Sequence, residues 1–193
     1  NLDPLSKLGA LEHIDVSGTK VSTLEPLREL GNLRFVNASN SRLYELEPVK
    51  ELFDLEDLLL NDTKVLDLSY LSRLDRLRRL EVARTDLRIL PDLTSNQDLE
   101  ILDISQTDIS DLTPLRPMNS LKVLNLSGTK VTDLRKIKDL SNLTELDLRN
   151  TKLKSLDPLV EMANLSVVYL NIVPSNSTET LSALRDRGVN IEN

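Results

Sequence analysis

Cysteine and tryptophan are absent from this chain of 193 residues, histidine occurs once, and there are only five glycines. Without cysteine no disulfide can close an end of the molecule, so any cap must come from packed side chains; the lack fits both the cytosol and bacterial secretion. Few glycines leave no glycine-rich loop to cradle a phosphate, and the lone His13 has no partner with which to build a nucleophilic or acid–base site. No apolar run reaches the roughly 18 residues that a membrane-spanning helix needs, and no leader-type segment opens the chain. Positive charge is short as well: 24 Lys and Arg face 31 Asp and Glu, a formal charge of -7, so a nucleic-acid partner, which needs a basic face, is not expected.

What the chain has is a frame. Leu11, Leu33, Leu55, Leu77, Leu99, Leu121, Leu143 and Leu165 each stand 22 residues after the last. Around them recurs one pattern, clearest in Leu121, Leu124, Leu126, Thr129, Val131, Leu134, Ile137 and Leu140. Such spacing at such a period is the signature of a leucine-rich repeat solenoid. The expected class is an α/β solenoid, a horseshoe with a parallel sheet of about eight strands on its concave face. Short 3₁₀ or α segments are expected on the convex side. One continuous domain is predicted over 1–193: a partial repeat at 1–10, seven repeats at 11–164, and a last strand with a C-terminal cap at 165–193.

Within one unit, Ile14 and Val16 point one way and His13, Asp15 and Ser17 the other, which predicts a short strand. Leu24, Leu27 and Leu30 then recur every third residue and suit a 3₁₀ turn. Pro26 opens that turn after Glu25, and Glu47-Pro48, Thr113-Pro114 and Asp157-Pro158 repeat the arrangement; proline at a first helical position loses no hydrogen bond. One such unit buries too little apolar surface to offset its own ordering entropy, so the units must stack. After each strand comes a hydroxyl, at Thr19, Ser41, Thr63, Thr85, Thr107, Thr129 and Thr151. A buried ladder serving turn backbone is expected of these, not a row of nucleophiles.

Two places leave the frame. In the fourth unit Asn96 stands where others have Leu30, Leu52, Leu74, Met118, Leu140 or Met162, and Pro91 is displaced by one position; a tolerated defect is favoured over a local contact. Beyond Pro174, a helix over 179–187 with Leu181 and Leu184 on one face is predicted, capped by Ser177 or Thr178 and closed by Gly188. Val189 and Ile191 can then add an edge strand. Leu2, Pro4, Leu5 and Leu8 match Leu24, Pro26, Leu27 and Leu30, and no N-terminal cap precedes them, which leads us to expect more protein upstream.

The carboxylates Asp15, Glu81, Asp103, Glu145 and Asp147 follow the repeat period, so a solvated acidic stripe is expected in preference to a Ca²⁺ site or a catalytic pair. No metal, cofactor or catalytic residue is assigned. Sequons at Asn37 and Asn61 would place glycans on the strand face, which speaks against a eukaryotic secretory origin. Function is expected on the outward columns of the strands. There Phe35, Leu59, Ile101, Val123 and Tyr169 are apolar at positions that should face water, among His13, Arg79, Glu81, Asp103 and Arg149; a few large anchors in a polar surround make an interaction patch. These residues are the candidate protein-binding site of a monomeric chain.

The segments LKVLNLSGTKVTDLRKIKDLSN and LEILDISQTDISDLTPLRPMNS resemble the bacterial leucine-rich repeat class represented by the internalins, and the ending LSALRDRGVNIEN is similar to the tails that close many bacterial proteins of this kind. The resemblance covers nearly the whole chain, but threonine replaces the usual ladder asparagine and the internalin N-terminal cap is missing. It implies a horseshoe that binds a protein on its concave face, as part of a bacterial surface, secreted or effector protein, with no particular receptor. A weaker similarity, to the leucine-rich regulatory subunit of a Ser/Thr protein phosphatase, would make the chain an intracellular scaffold. Two further roles fit the same pattern: a substrate-recognition arm of a larger enzyme, and a spacer with no ligand.

Overall fold

A computed structural model describes residues 2–192. Among these, nine three-residue strands form one open parallel sheet in chain order: β1 His13–Asp15, β2 Phe35–Asn37, β3 Asp57–Leu59, β4 Arg79–Glu81, β5 Ile101–Asp103, β6 Val123–Asn125, β7 Glu145–Asp147, β8 Val167–Tyr169 and β9 Asn190–Glu192. His13 pairs with Phe35 and Phe35 with Asp57, so corresponding residues of successive units lie side by side. Period-two alternation sends the middle residue of each strand inward. Ile14, Val36, Leu58, Leu80, Leu102, Leu124, Leu146 and Val168 are all buried, in one core with the leucines of the opposite side.

Pairing continues past the strands. The amides of Gly18, Asn40, Asp62, Arg84, Gln106 and Gly128 donate to the carbonyls of Ser39, Asn61, Ala83, Ser105, Ser127 and Arg149 in the next unit. Each of these donors, and Asn150 as well, has a positive φ of 54–68°. The chain turns through the left-handed region there, which glycine and asparagine tolerate and Arg84 and Gln106 adopt under strain. The ladder stops at Asn150, whose amide donates to the side chain of Asn171 (2.7 Å) instead of to a backbone carbonyl.

The hydroxyls serve their own turn, not a ladder between units. Thr19, Thr63, Thr85, Thr107, Thr129 and Thr151 each donate to the carbonyl three residues back, at 2.5–2.8 Å. Ser41 accepts from the Leu43 amide instead. Thr19 is exposed, unlike the later threonines of the series.

The opposite side carries 3₁₀ turns at Asp3–Leu5, Glu25–Leu27, Glu47–Val49, Ser69–Arg73, Thr113–Leu115 and Asp157–Glu161. All but Ser69–Arg73 have proline at their start. No 3₁₀ helix forms between Leu90 and Leu99, nor at Leu134–Leu140 where Lys136 takes the proline position; single turns, such as that from the Ile137 amide to the Leu134 carbonyl, replace it. Asn96 is nonetheless no mere defect. It is fully buried, and its Nδ2 donates to the carbonyls of Leu71 (3.0 Å) and Leu74 (2.7 Å), tying the fourth unit to the 3₁₀ turn of the third.

The one α-helix among the described residues, α1 (Thr178–Asp186), lies against the Asp157–Glu161 turn. Thr180 donates to Asp157 at 2.7 Å, Leu184 is buried, and Gly188 leaves the helix at φ 81°, which lets β9 pair with β8. The predicted cap fails in one respect: Ser177 occupies the N-cap position without a side-chain hydrogen bond, since its hydroxyl is buried against the solenoid.

Asn96→Asp keeps the side-chain shape and turns a double donor into an acceptor facing two carbonyls. Urea unfolding should register a loss of about 3 kcal/mol or more. A loss below about 1 kcal/mol would show that the amide does not hold the two units together.

Candidate protein-binding face

The face of the sheet turned away from the core is built of two columns in register. The first runs His13, Phe35, Asp57, Arg79, Ile101, Val123, Glu145, Val167, and the second Asp15, Asn37, Leu59, Glu81, Asp103, Asn125, Asp147, Tyr169. Seven of the residues expected from sequence, Arg79, Glu81, Ile101, Asp103, Val123, Arg149 and Tyr169, line one trough of about 480 Å³ across β4–β8. His13, Phe35 and Leu59 lie on the same face but outside it. The His13 and Phe35 rings stack at 6.0 Å between centroids near the β1 edge.

Five further residues of the trough, Asn125, Glu145, Asp147 and the buried Leu102 and Leu124, are not among those expected. The three polar ones fall in columns that the 22-residue spacing already defines, so the period alone marks them.

The polar side chains of this face are held by neighbours. Arg79 donates through Nε to Glu81 (2.7 Å), and Glu81 also accepts from Asn61 Nδ2 (2.7 Å). Arg149 donates to Asp147 (2.5 Å) and sits over the Tyr169 ring, 5.0 Å from its centroid. The charge of Glu145 pushes the Tyr169 phenol up. The expected solvated acidic stripe is therefore partly internal structure: Asp15, Asp103 and Asp147 accept the amides of Ser17, Ser105 and Arg149 and so end their strands, and Asp147 is buried. Asn37 and Asn125 do the same and also donate to Asp15 and Asp103 at 3.1 Å.

The apolar anchors are less exposed than expected. Phe35, Leu59, Ile101, Val123 and Tyr169 are half-buried, because parallel strands about 4.8 Å apart let each side chain shade the next. The large apolar side chains most open to water lie on the flank: Ile89 at 77%, Leu66 at 62% and Tyr44 at 58%. Among the described residues no cluster of His, Cys, Asp or Glu has the arrangement of a metal site, and no helix is long and apolar enough to cross a membrane.

The architecture matches solved bacterial proteins. An internalin (inlF) of Listeria monocytogenes superposes with a TM-score of 0.93 at 22% identity, over 100% of this chain and 57% of that one. Internalin C2 of the same organism gives 0.81 at 24%, over 86% and 74%. A leucine-rich repeat protein of Leptospira interrogans gives 0.89 at 22%, over 99% and 51%. Residues 119–161 match the family described as Leucine Rich repeats (2 copies). The fold is an internalin-like leucine-rich repeat solenoid. The chain spans little more than half of the first and third of these structures, and no curated protein matches it.

Asp57 offers a test of what this solenoid face costs. Burial raises its carboxyl above the ordinary 3.8; Arg79 opposes the shift, Glu56 and Glu81 add to it, and Arg78 counters them. A raised carboxyl means that the ionised form penalises the fold above the folded pKa, and that the penalty vanishes below the unfolded value. Asp57→Asn should therefore raise the urea midpoint at pH 7, with the gain disappearing below about pH 4. A gain that persists in acid would point to packing instead of charge.

Proposed function

We propose that this chain is a non-enzymatic recognition module that holds a protein partner on the concave face of its arc, as part of a bacterial surface, secreted or effector protein. The observation that carries the reading is the trough across β4–β8. It combines an apolar floor of Ile101 and Val123, an aromatic anchor at Tyr169, and two arginines already fixed by Glu81 and Asp147. Side chains held before binding lose little entropy on binding, and aromatic and arginine anchors concentrate interface energy. The short, paired strands below supply a rigid base for these groups. His13, Phe35 and Leu59 extend the same surface toward β1. The likeness to internalins supports the same use of the fold.

Protein fragments displayed on phage and selected on the immobilised chain test this directly. The double variant Ile101→Glu, Val123→Glu should weaken the recovered ligands about 100-fold, near 3 kcal/mol, while the urea midpoint barely moves. Ligands indifferent to that variant and lost with Leu66→Glu, Ile89→Glu would shift the site to the flank and defeat the proposal.

A further inference from the structure

The free sheet face carries a charge pattern that selects a kind of partner. Its two arginines are each engaged by a carboxylate of the same strand or the strand just before it in the chain, Arg79 by Glu81 and Arg149 by Asp147. What remains are Asp15 on β1, Asp57 on β3, Asp103 on β5, Glu145 on β7 and Glu192 on β9, none of which takes part in an ion pair among the described residues. They occupy every second strand. Adjacent parallel strands lie about 4.8 Å apart, so carboxylates outside ion pairs recur about every 10 Å across the sheet, alternating between the second column (Asp15, Asp103) and the first (Asp57, Glu145), an offset that long lysine and arginine side chains span. Between them the face offers apolar surface, with Phe35 on β2, Leu59 on β3, Ile101 on β5 and Val123 on β6.

Resting on the concave-face reading above, we infer that the occupant of this face is a basic, extended protein segment crossing the strands, with Lys or Arg at every third residue. An extended polyproline-type chain advances about 3.1 Å per residue, so cations three residues apart recur at about 9.3 Å and meet successive carboxylates. Their aliphatic stems lie along Ile101, Val123, Leu59 and Phe35 while the charged heads reach the acids, the way long basic side chains cover apolar surface. Acidic segments are repelled by the surplus carboxylates of this face and by the chain's formal charge of -7. The burial that pushes the Asp57 carboxyl up, with no cation seated on it, is the state expected of a site whose counter-charge arrives with the ligand.

Two fluorescent 13-residue peptides of identical composition make the probe, one with lysine at every third position and the other with the same lysines clustered at one end. Anisotropy titration of the whole chain at physiological salt should show the spaced peptide binding at least tenfold tighter. Asp57→Asn and Glu145→Gln should each weaken it by about fivefold, and Ile101→Glu, Val123→Glu should abolish binding. Asp103→Asn should act likewise, provided that its urea midpoint is unchanged; the first two variants decide the matter if it is not. Equal binding of both peptides, no binding, or preference for a glutamate-bearing counterpart overturns the inference. Displayed ligands that depend on Ile101 and Val123 but carry no spaced cations would sink it while leaving the concave-face reading intact. A spaced peptide that binds regardless of Ile101→Glu, Val123→Glu would count against both.

Discussion

Everything in this molecule hangs on backbone pairing between one coil and the next, at an advance of 22 residues from β1 to β8 and of 23 into β9. Three strand residues per unit are too few for a stable sheet by themselves. The pairing is prolonged by the amides from Gly18 to Gly128 that donate across to the following unit. That extension goes with a left-handed residue after each strand from β1 to β6, and the conformation is adopted even where the side chain is unsuited to it, at Arg84 and Gln106. Arg84 recovers part of the cost through its contacts with Asp62 one unit earlier (2.6–2.9 Å), and the Gln106 side chain lies against Gly128, filling the space a Cβ would need there. Constant register also explains the ion pairs between equivalent places, such as Lys122 with Glu100 and Arg76 with Asp54. Exposed pairs of this kind contribute little energy, but each is satisfied only when the units stand in step.

The inside of the coil follows from the same constraint. Equivalent leucines come to lie above one another and lose nearly all contact with water, which supplies the apolar burial that a lone unit lacks. Polar atoms inside must then be answered locally. Threonine hydroxyls answer the carbonyl three residues back, and Asx side chains answer amides at the strand ends. Where the frame breaks, the same rule holds: Asn96 replaces a leucine but gives both its hydrogens to neighbouring carbonyls, and Asn171 stands in for a missing backbone acceptor. The end of the array is closed in this way, with α1 and β9 covering what a further unit would otherwise bury.

The period, the strand positions, the proline-started turns and the terminal helix were all legible in the chain, because each depends on the type and spacing of residues within one unit. What escaped reading depends on the neighbouring unit. No residue pattern distinguishes Arg84 from an ordinary surface arginine, yet its backbone is forced into the left-handed region by the carbonyl of Ser105. Asn96 reads as a lapse until the carbonyls of Leu71 and Leu74 are placed beside it. The five anchors of the sheet face were expected in the open and are half-buried, since the shading comes from strands 22 residues away. Asp147 looked like a solvated acid and is buried beneath Arg149, two residues on, whose amide and guanidinium both donate to it.

Stacking divides the residues of a unit into those that the next coil constrains and those that it does not. Inward strand positions admit only apolar side chains that fit their counterparts, and the strand-ending aspartates and asparagines are held by backbone amides. The first column is the least bound by such duties, and its side chains vary in charge, size and polarity from His13 to Val167. Asp57 goes further, because it keeps a carboxylate where burial disfavours the charge. A position that costs stability and supports no neighbour is the kind that recognition retains. The regular coil beneath repeats the first column at fixed intervals, so a partner of the proposed kind meets one of its side chains on every strand that it crosses.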